Sequence, residues 1–186
     1  MVDPGLTGRL LVAAPMLRDP NFVRTVVLIL DHSAQGALGL VLNRPTATAV
    51  DEPLPHWGDR AAEPSVVFAG GPVGVTSAIC LARAVPDGLE ADGWQPLFGR
   101  LGTLDVARDP DELTLPIEGL RLFAGYAGWG AGQVEGEIEA GAWFVVDAEP
   151  DDAFDADPVQ LRRRILARQD GVLSALANFP ADLSVN

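Results

Sequence analysis

Apolar positions along this chain fall into short continuous runs, each closed by glycine, proline, asparagine or aspartate. Runs of four to eight apolar residues bounded by turn formers predict strands, whereas a helix repeats its apolar positions every three or four residues. Residues 9–14 (RLLVAA) predict a buried strand, followed by a turn over 15–21. Residues 25–30 (TVVLIL) and 38–42 predict a hairpin about Gly36, closed by Asn43-Arg44-Pro45. Neither run alternates apolar with polar residues, so the sheet should be covered on both faces. Residues 46–64, broken by Pro53, Pro55 and Pro64, predict a surface segment with at most one helical turn.

Strands are expected again at 65–69, ended by Gly70-Gly71-Pro72, and at 76–82. A single strand is expected within 94–104, and the start of a helical turn at 110–113. Residues 120–126 predict a strand that leads through the turn GYAGWGAGQ into a short helix at 133–140 and a last strand at 143–146. The best-marked element is a helix with Asp157 as N-cap, Pro158 in the first position, apolar residues at 161, 165 and 166, and Gly171 as its stop. No internal repeat or linker divides the chain, so residues 1–186 are read as one compact α/β (α+β) domain, mainly sheet with a few helices.

Composition narrows the function classes. With 48% hydrophobic residues the chain can fill a sizeable core, and twenty glycines with fifteen prolines predict many turns. The formal net charge of −13 repels phosphate backbones and anionic lipid surfaces, which disfavours direct nucleic-acid binding. All thirteen basic residues are arginine; without lysine there is no phosphate-loop lysine, Schiff-base lysine or Ser-x-x-Lys nucleophile. Cys80, the only cysteine, excludes an intrachain disulfide, and its apolar flanks predict an inert core thiol. The stretch 10–17 looks like a signal-peptide core but contains Pro15 and runs into Arg18 and Asp19, so a buried strand explains it better. No apolar run reaches the ~18 residues of a membrane span, and a cytoplasmic protein with no membrane partner is expected.

Candidate chemistry is sparse, and no catalytic residue, metal or cofactor is assigned. Gly125, Gly128, Gly130 and Gly132 surround Trp129 and precede Gln133. Their backbone N–H groups could receive an anion, or the glycines could only permit a tight turn. The spacing lacks the last glycine of a dinucleotide fingerprint. Arg44, held extended by Pro45, could clamp a carboxylate or phosphate or pair with one of the 26 acidic side chains. His32 and His56 lack metal-ligand spacing, and no serine stands in a nucleophile elbow. Of Glu135, Glu137 and Glu139 only the first and last would share a helical face. Six acidic residues between Asp147 and Asp157 precede Arg162, Arg163, Arg164 and Arg168, an order that complements a helix dipole or forms a basic docking helix.

Four segments, GRLLVAAPMLRDPNFVRTVVLILDH, GALGLVLNRP, FAGGPV and FAGYAGWGAGQVEGEIEAGAWFVV, together with the closing NFPADLSVN, resemble the YqgE/AlgH family in order and spacing. The sequence departs from that pattern at Phe154, where relatives often carry tryptophan. The resemblance implies a domain of mixed, coiled β-sheets flanked by a few helices. It implies no established catalysis and a proposed role in transcriptional regulation, which the charge of this chain would route through a protein partner or a small anionic ligand. The family's motif positions fall on Asn43, Arg44, Gly70, Gly71, Gly128, Trp129, Gly130 and Gln133, the residues expected to form any ligand site.

Overall fold

A computed structural model describes residues 5–85, 93–112 and 116–178. Its elements run β1 (Arg9–Ala13), β2 (Val26–Ser33), β3 (Gly36–Val41), β4 (Pro45–Ala49), β5 (Val66–Ala69), β6 (Val73–Ala84), β7 (Trp94–Phe98), β8 (Leu101–Leu104), β9 (Ile117–Gly130), α1 (Gln133–Glu139), β10 (Trp143–Asp147), α2 (Pro158–Ala167) and α3 (Val172–Leu176). The strands make one curled, mostly antiparallel sheet in the order β10-β1-β2-β3-β9-β6-β8-β7, and β4 joins through β5, which pairs in parallel with β9. The fold is thus α+β with a mixed, coiled sheet and, among the described residues, three helices, as the family resemblance implied.

Successive side chains of a strand point to opposite faces, and the unbroken apolar runs use both. Leu10, Val12, Val26 and Leu28 pack against Leu161, Ile165 and Leu166 of α2. Their neighbours Leu11, Ala13, Val27 and Ile29 pack on the other side against Val134 of α1, Trp129 and Trp143. A third cluster gathers Cys80, Leu120 and Leu122 with Val50 and Trp57. Cys80 is buried and desolvation pushes its thiol up to about 12, which disfavours the reactive thiolate.

Three expectations are corrected. Residues 46–64 include a strand, β4, all of whose residues are exposed; Thr46 ties it to β5 by donating to the Val67 carbonyl at 2.7 Å. Its exposure erased the apolar signal by which strands are found. The segment 94–104 holds two strands, because Gly99 takes a left-handed backbone (φ 51°) and turns β7 back on β8. The glycine-rich segment is no strand-to-helix turn: β9 runs through Gly130, with Gly128 opposite Leu38 and Gly130 opposite Gly36. The expected helical turn at 110–113 appears as a 3-10 turn over Pro110–Glu112, with Leu113 outside the described residues, as is the segment 179–186 that carries most of the closing motif. Gly171 (φ 64°) follows α2 as expected, but it leads directly into α3, which the pattern did not predict.

Candidate functional site

Asn43 and Arg44, just after β3, fold back over the turn that precedes β2. The Asn43 side chain accepts from the Val26 N–H and donates to the Arg24 carbonyl, both at 3.0 Å. Arg44 donates from Nη1 to the Asn21 carbonyl (2.7 Å) and from Nη2 to those of Pro20 (3.1 Å) and Val23 (3.3 Å). Among the described residues it pairs with no acidic side chain. These bonds strap the turn in place, and Arg24 at its end holds a left-handed backbone (φ 59°) that a non-glycine residue adopts only under such constraint.

The strap forms one wall of a cavity of about 560 Å³ whose opposite wall is α2 with Ala177 and Asn178, just after α3. Arg24, Arg44, Arg162 and Arg163 line it, joined by the amides of Asn43, Gln160 and Asn178, and no carboxylate is among its described lining residues. Arg162 is only 6% exposed. One of its Nη atoms donates to the Ala13 carbonyl at 2.9 Å, while its Nε is buried without a partner. Burial, and secondarily the charge of Arg24, hold the Arg162 guanidinium below its ordinary range. Arg24 and Arg163 are exposed, and among the described residues their guanidinium groups make no hydrogen bond or ion pair.

The other arginines of the basic helix are committed elsewhere. Arg164 pairs with Asp155. Arg168 grips Asp152 through Nη1 (2.6 Å) and Nη2 (2.7 Å), and those hydrogen bonds raise its pKa. Acidic residues before α2 and basic residues within it therefore meet as side-chain pairs. Arg162 and Arg163 turn instead to the cavity.

The glycine positions and Trp129 do not line this cavity. Gly70 donates its N–H to the Ala124 carbonyl at 2.8 Å, and a Cβ on it would lie 2.3 Å from the Gly125 carbonyl oxygen. A Cβ on Gly71 would lie 2.1 Å from the Tyr126 carbonyl carbon, so this pair lets β5 approach β9. The Gly130 N–H is taken by Gln133 Oε1 at 3.0 Å. Trp129 stacks on Phe22 and meets Trp143 edge-on, and both indole N–H groups donate to Glu137 Oε2, at 2.9 and 2.8 Å. Gln133 donates to the other oxygen of Glu137 at 3.0 Å. Glu137 thus fastens α1 to the sheet, on a face different from Glu135 and Glu139.

Gly128 has no steric reason to be glycine: a Cβ there meets only the Tyr126 ring, at 3.6 Å. Gly128→Ala is expected to change stability by no more than ~0.5 kcal/mol in urea unfolding. A loss of several kcal/mol would show that this position is constrained by something other than packing.

His32 accepts the Leu6 N–H at Nδ1 (3.1 Å) and donates from Nε2 to Glu135 at 2.7 Å, a network that sets its neutral tautomer. The hydrogen bond from His32 contributes to lowering the Glu135 pKa, after the larger effect of a backbone hydrogen bond. Among the described residues no group of three or more His, Cys, Asp and Glu side chains is placed to hold a metal ion, and no helix is long and apolar enough to cross a membrane.

Sequence reading located Asn43 and Arg44 but missed Arg24, and it read Arg162 and Arg163 as part of one basic helix face. The available signal was the lack of any acidic residue three or four positions from Arg24 in a chain this acidic.

A family model described as AlgH-like matches residues 10–174. The chain is 50% identical over 185 residues to a UPF0301 protein of Streptomyces coelicolor, covering 97% of this chain and 95% of the other. It is 44% identical over 183 residues to a UPF0301 protein of Mycobacterium tuberculosis, covering 96% and 90%. Among solved structures it is similar to a Corynebacterium diphtheriae protein in a crystal structure, with a TM-score of 0.87, 33% identity, and coverage of 95% of this chain and 93% of that one. It is also similar to the AlgH protein from Pseudomonas aeruginosa in solution, with a TM-score of 0.69, 32% identity, and coverage of 98% of both chains.

Proposed function

This chain belongs to the AlgH-like family, and we propose that it is a non-catalytic regulatory protein of the cytoplasm that responds to a small anion held between the Asn43-Arg44 strap and α2. The supporting observation is a segregation of charge. Arg9, Arg60, Arg83, Arg100, Arg164 and Arg168 each find a carboxylate. Arg24, Arg44, Arg162 and Arg163 share one cavity with none among its described lining residues, although the chain carries a net charge of −13. Converging like charges destabilises a fold unless something of opposite sign enters between them. The ligand also decides how a regulator of this charge would act: anion binding is local, while the surrounding negative field keeps long nucleic acids away.

The test is thermal unfolding in millimolar phosphate, sulfate, citrate and nucleotides at constant ionic strength, so that general salt effects cancel. A ligand at about 100 times its dissociation constant adds roughly 2.7 kcal/mol, on the order of 5–10 °C for a chain of this size. Arg163→Gln, which removes an exposed guanidinium with no partner among the described residues, should abolish most of the shift without lowering the melting temperature of the free protein. If no anion moves the wild-type melting temperature, the reading fails.

A further inference from the structure

Resting on that reading, we propose that the ligand of the four-arginine cavity is a small molecule carrying two or more adjacent phosphoryl groups. Arg44 contributes charge but has engaged three carbonyls with its Nη groups, whereas among the described residues Arg24 and Arg163 are unengaged and Arg162 keeps an unpartnered Nε. A carboxylate brings one charge and two oxygens, and leaves most of this field uncompensated. Adjacent phosphoryl groups bring two to four charges and enough oxygens to meet several guanidinium forks at once.

Size points the same way. A cavity of about 560 Å³ is in the range that takes drug-sized ligands and exceeds the needs of one tetrahedral ion. Beyond the arginines, Gln160 and Asn178 offer amide donors and acceptors, and Val159 offers apolar contact to the organic part of such a molecule. The walls come from distant parts of the chain, the turn before β2 with the Asn43-Arg44 strap, and α2 with the residues after α3, so a ligand spanning them would also fasten α2 to the strap.

Calorimetric titration of the full chain with inorganic phosphate, pyrophosphate, AMP and ADP, at fixed ionic strength, tests this directly. Pyrophosphate and ADP should bind at least about tenfold more tightly than phosphate and AMP. Arg24→Gln and Arg163→Gln should each weaken pyrophosphate binding by about tenfold or more, with melting temperatures of the free variants held near wild type. Equal affinity for phosphate and pyrophosphate would overturn the polyphosphate assignment and leave the anion site standing. Binding of none of the four probes would overturn both. Pyrophosphate affinity unchanged in both variants would move the site elsewhere on the molecule, and a single-stranded oligonucleotide that outcompetes ADP would replace the small-molecule assignment with a nucleic-acid surface.

Discussion

Arg121→Met is expected to destabilise the protein by about 3–5 kcal/mol, read as a lowered urea midpoint with an unchanged slope. Arg121 is 1% exposed and lies in the middle of β9, in a stretch that otherwise reads as an apolar strand. Its guanidinium donates to the carbonyls of Glu63 (2.6 Å), Ala153 (3.2 Å) and Asp155 (3.0 Å), and its Cζ sits 4.3 Å from the centre of the Phe68 ring. Burial pushes its pKa down to about 10, which still leaves it charged at neutral pH. Methionine fills much of the volume but strands three carbonyls, each costing on the order of 1–3 kcal/mol when buried without a partner. Arg121→Lys keeps the charge and should remain clearly destabilised, because an ammonium lacks the planar fork that spans two segments of chain. A methionine variant as stable as wild type would mean that those carbonyls find other donors.

Gly71→Ala should be harsher still, at least ~4 kcal/mol, and enough to prevent soluble expression. The added methyl would sit 2.1 Å from the Tyr126 carbonyl carbon and 2.2 Å from its oxygen. These are backbone atoms of β9, which β6 pairs on one side and β3 and β5 on the other. A flexible side chain could swing aside, but this strand cannot without breaking its ladders. The contrast with Gly128→Ala, within β9 itself and also at a family motif position, is the informative comparison. If both variants unfold at the same urea concentration, close approach is not what Gly71 provides.

Much of the glycine motif thus has a structural explanation at individual positions. Gly125 takes a left-handed backbone (φ 71°), and a Cβ there would press 2.5 Å from the Gly71 carbonyl oxygen. Spacing alone left a phosphate cradle and a tight turn both open. The structure shows a third arrangement, a long strand that runs through Gly130 and in which Gly125 admits a neighbouring backbone. A run with so many glycines lacks the side chains that make a strand visible in a sequence. The exposed strand β4 escaped notice for a related reason: its five residues bury nothing, so no period records them.

The chain by itself determined the buried strands, the hairpin of β2 and β3, the covering of the sheet on both faces and the start of α2, all of which follow from the identity of residues within a few positions of one another. Its composition also set the negative field and removed lysine chemistry. Only the tertiary structure decided which arginines pair with acids, which one is buried against three carbonyls, and which four share a cavity. Those outcomes depend on contacts such as Arg162 to Ala13, 149 residues apart. A guanidinium on a long side chain takes its partner from whatever the fold brings near it, and periodicity along the chain carries no record of that meeting.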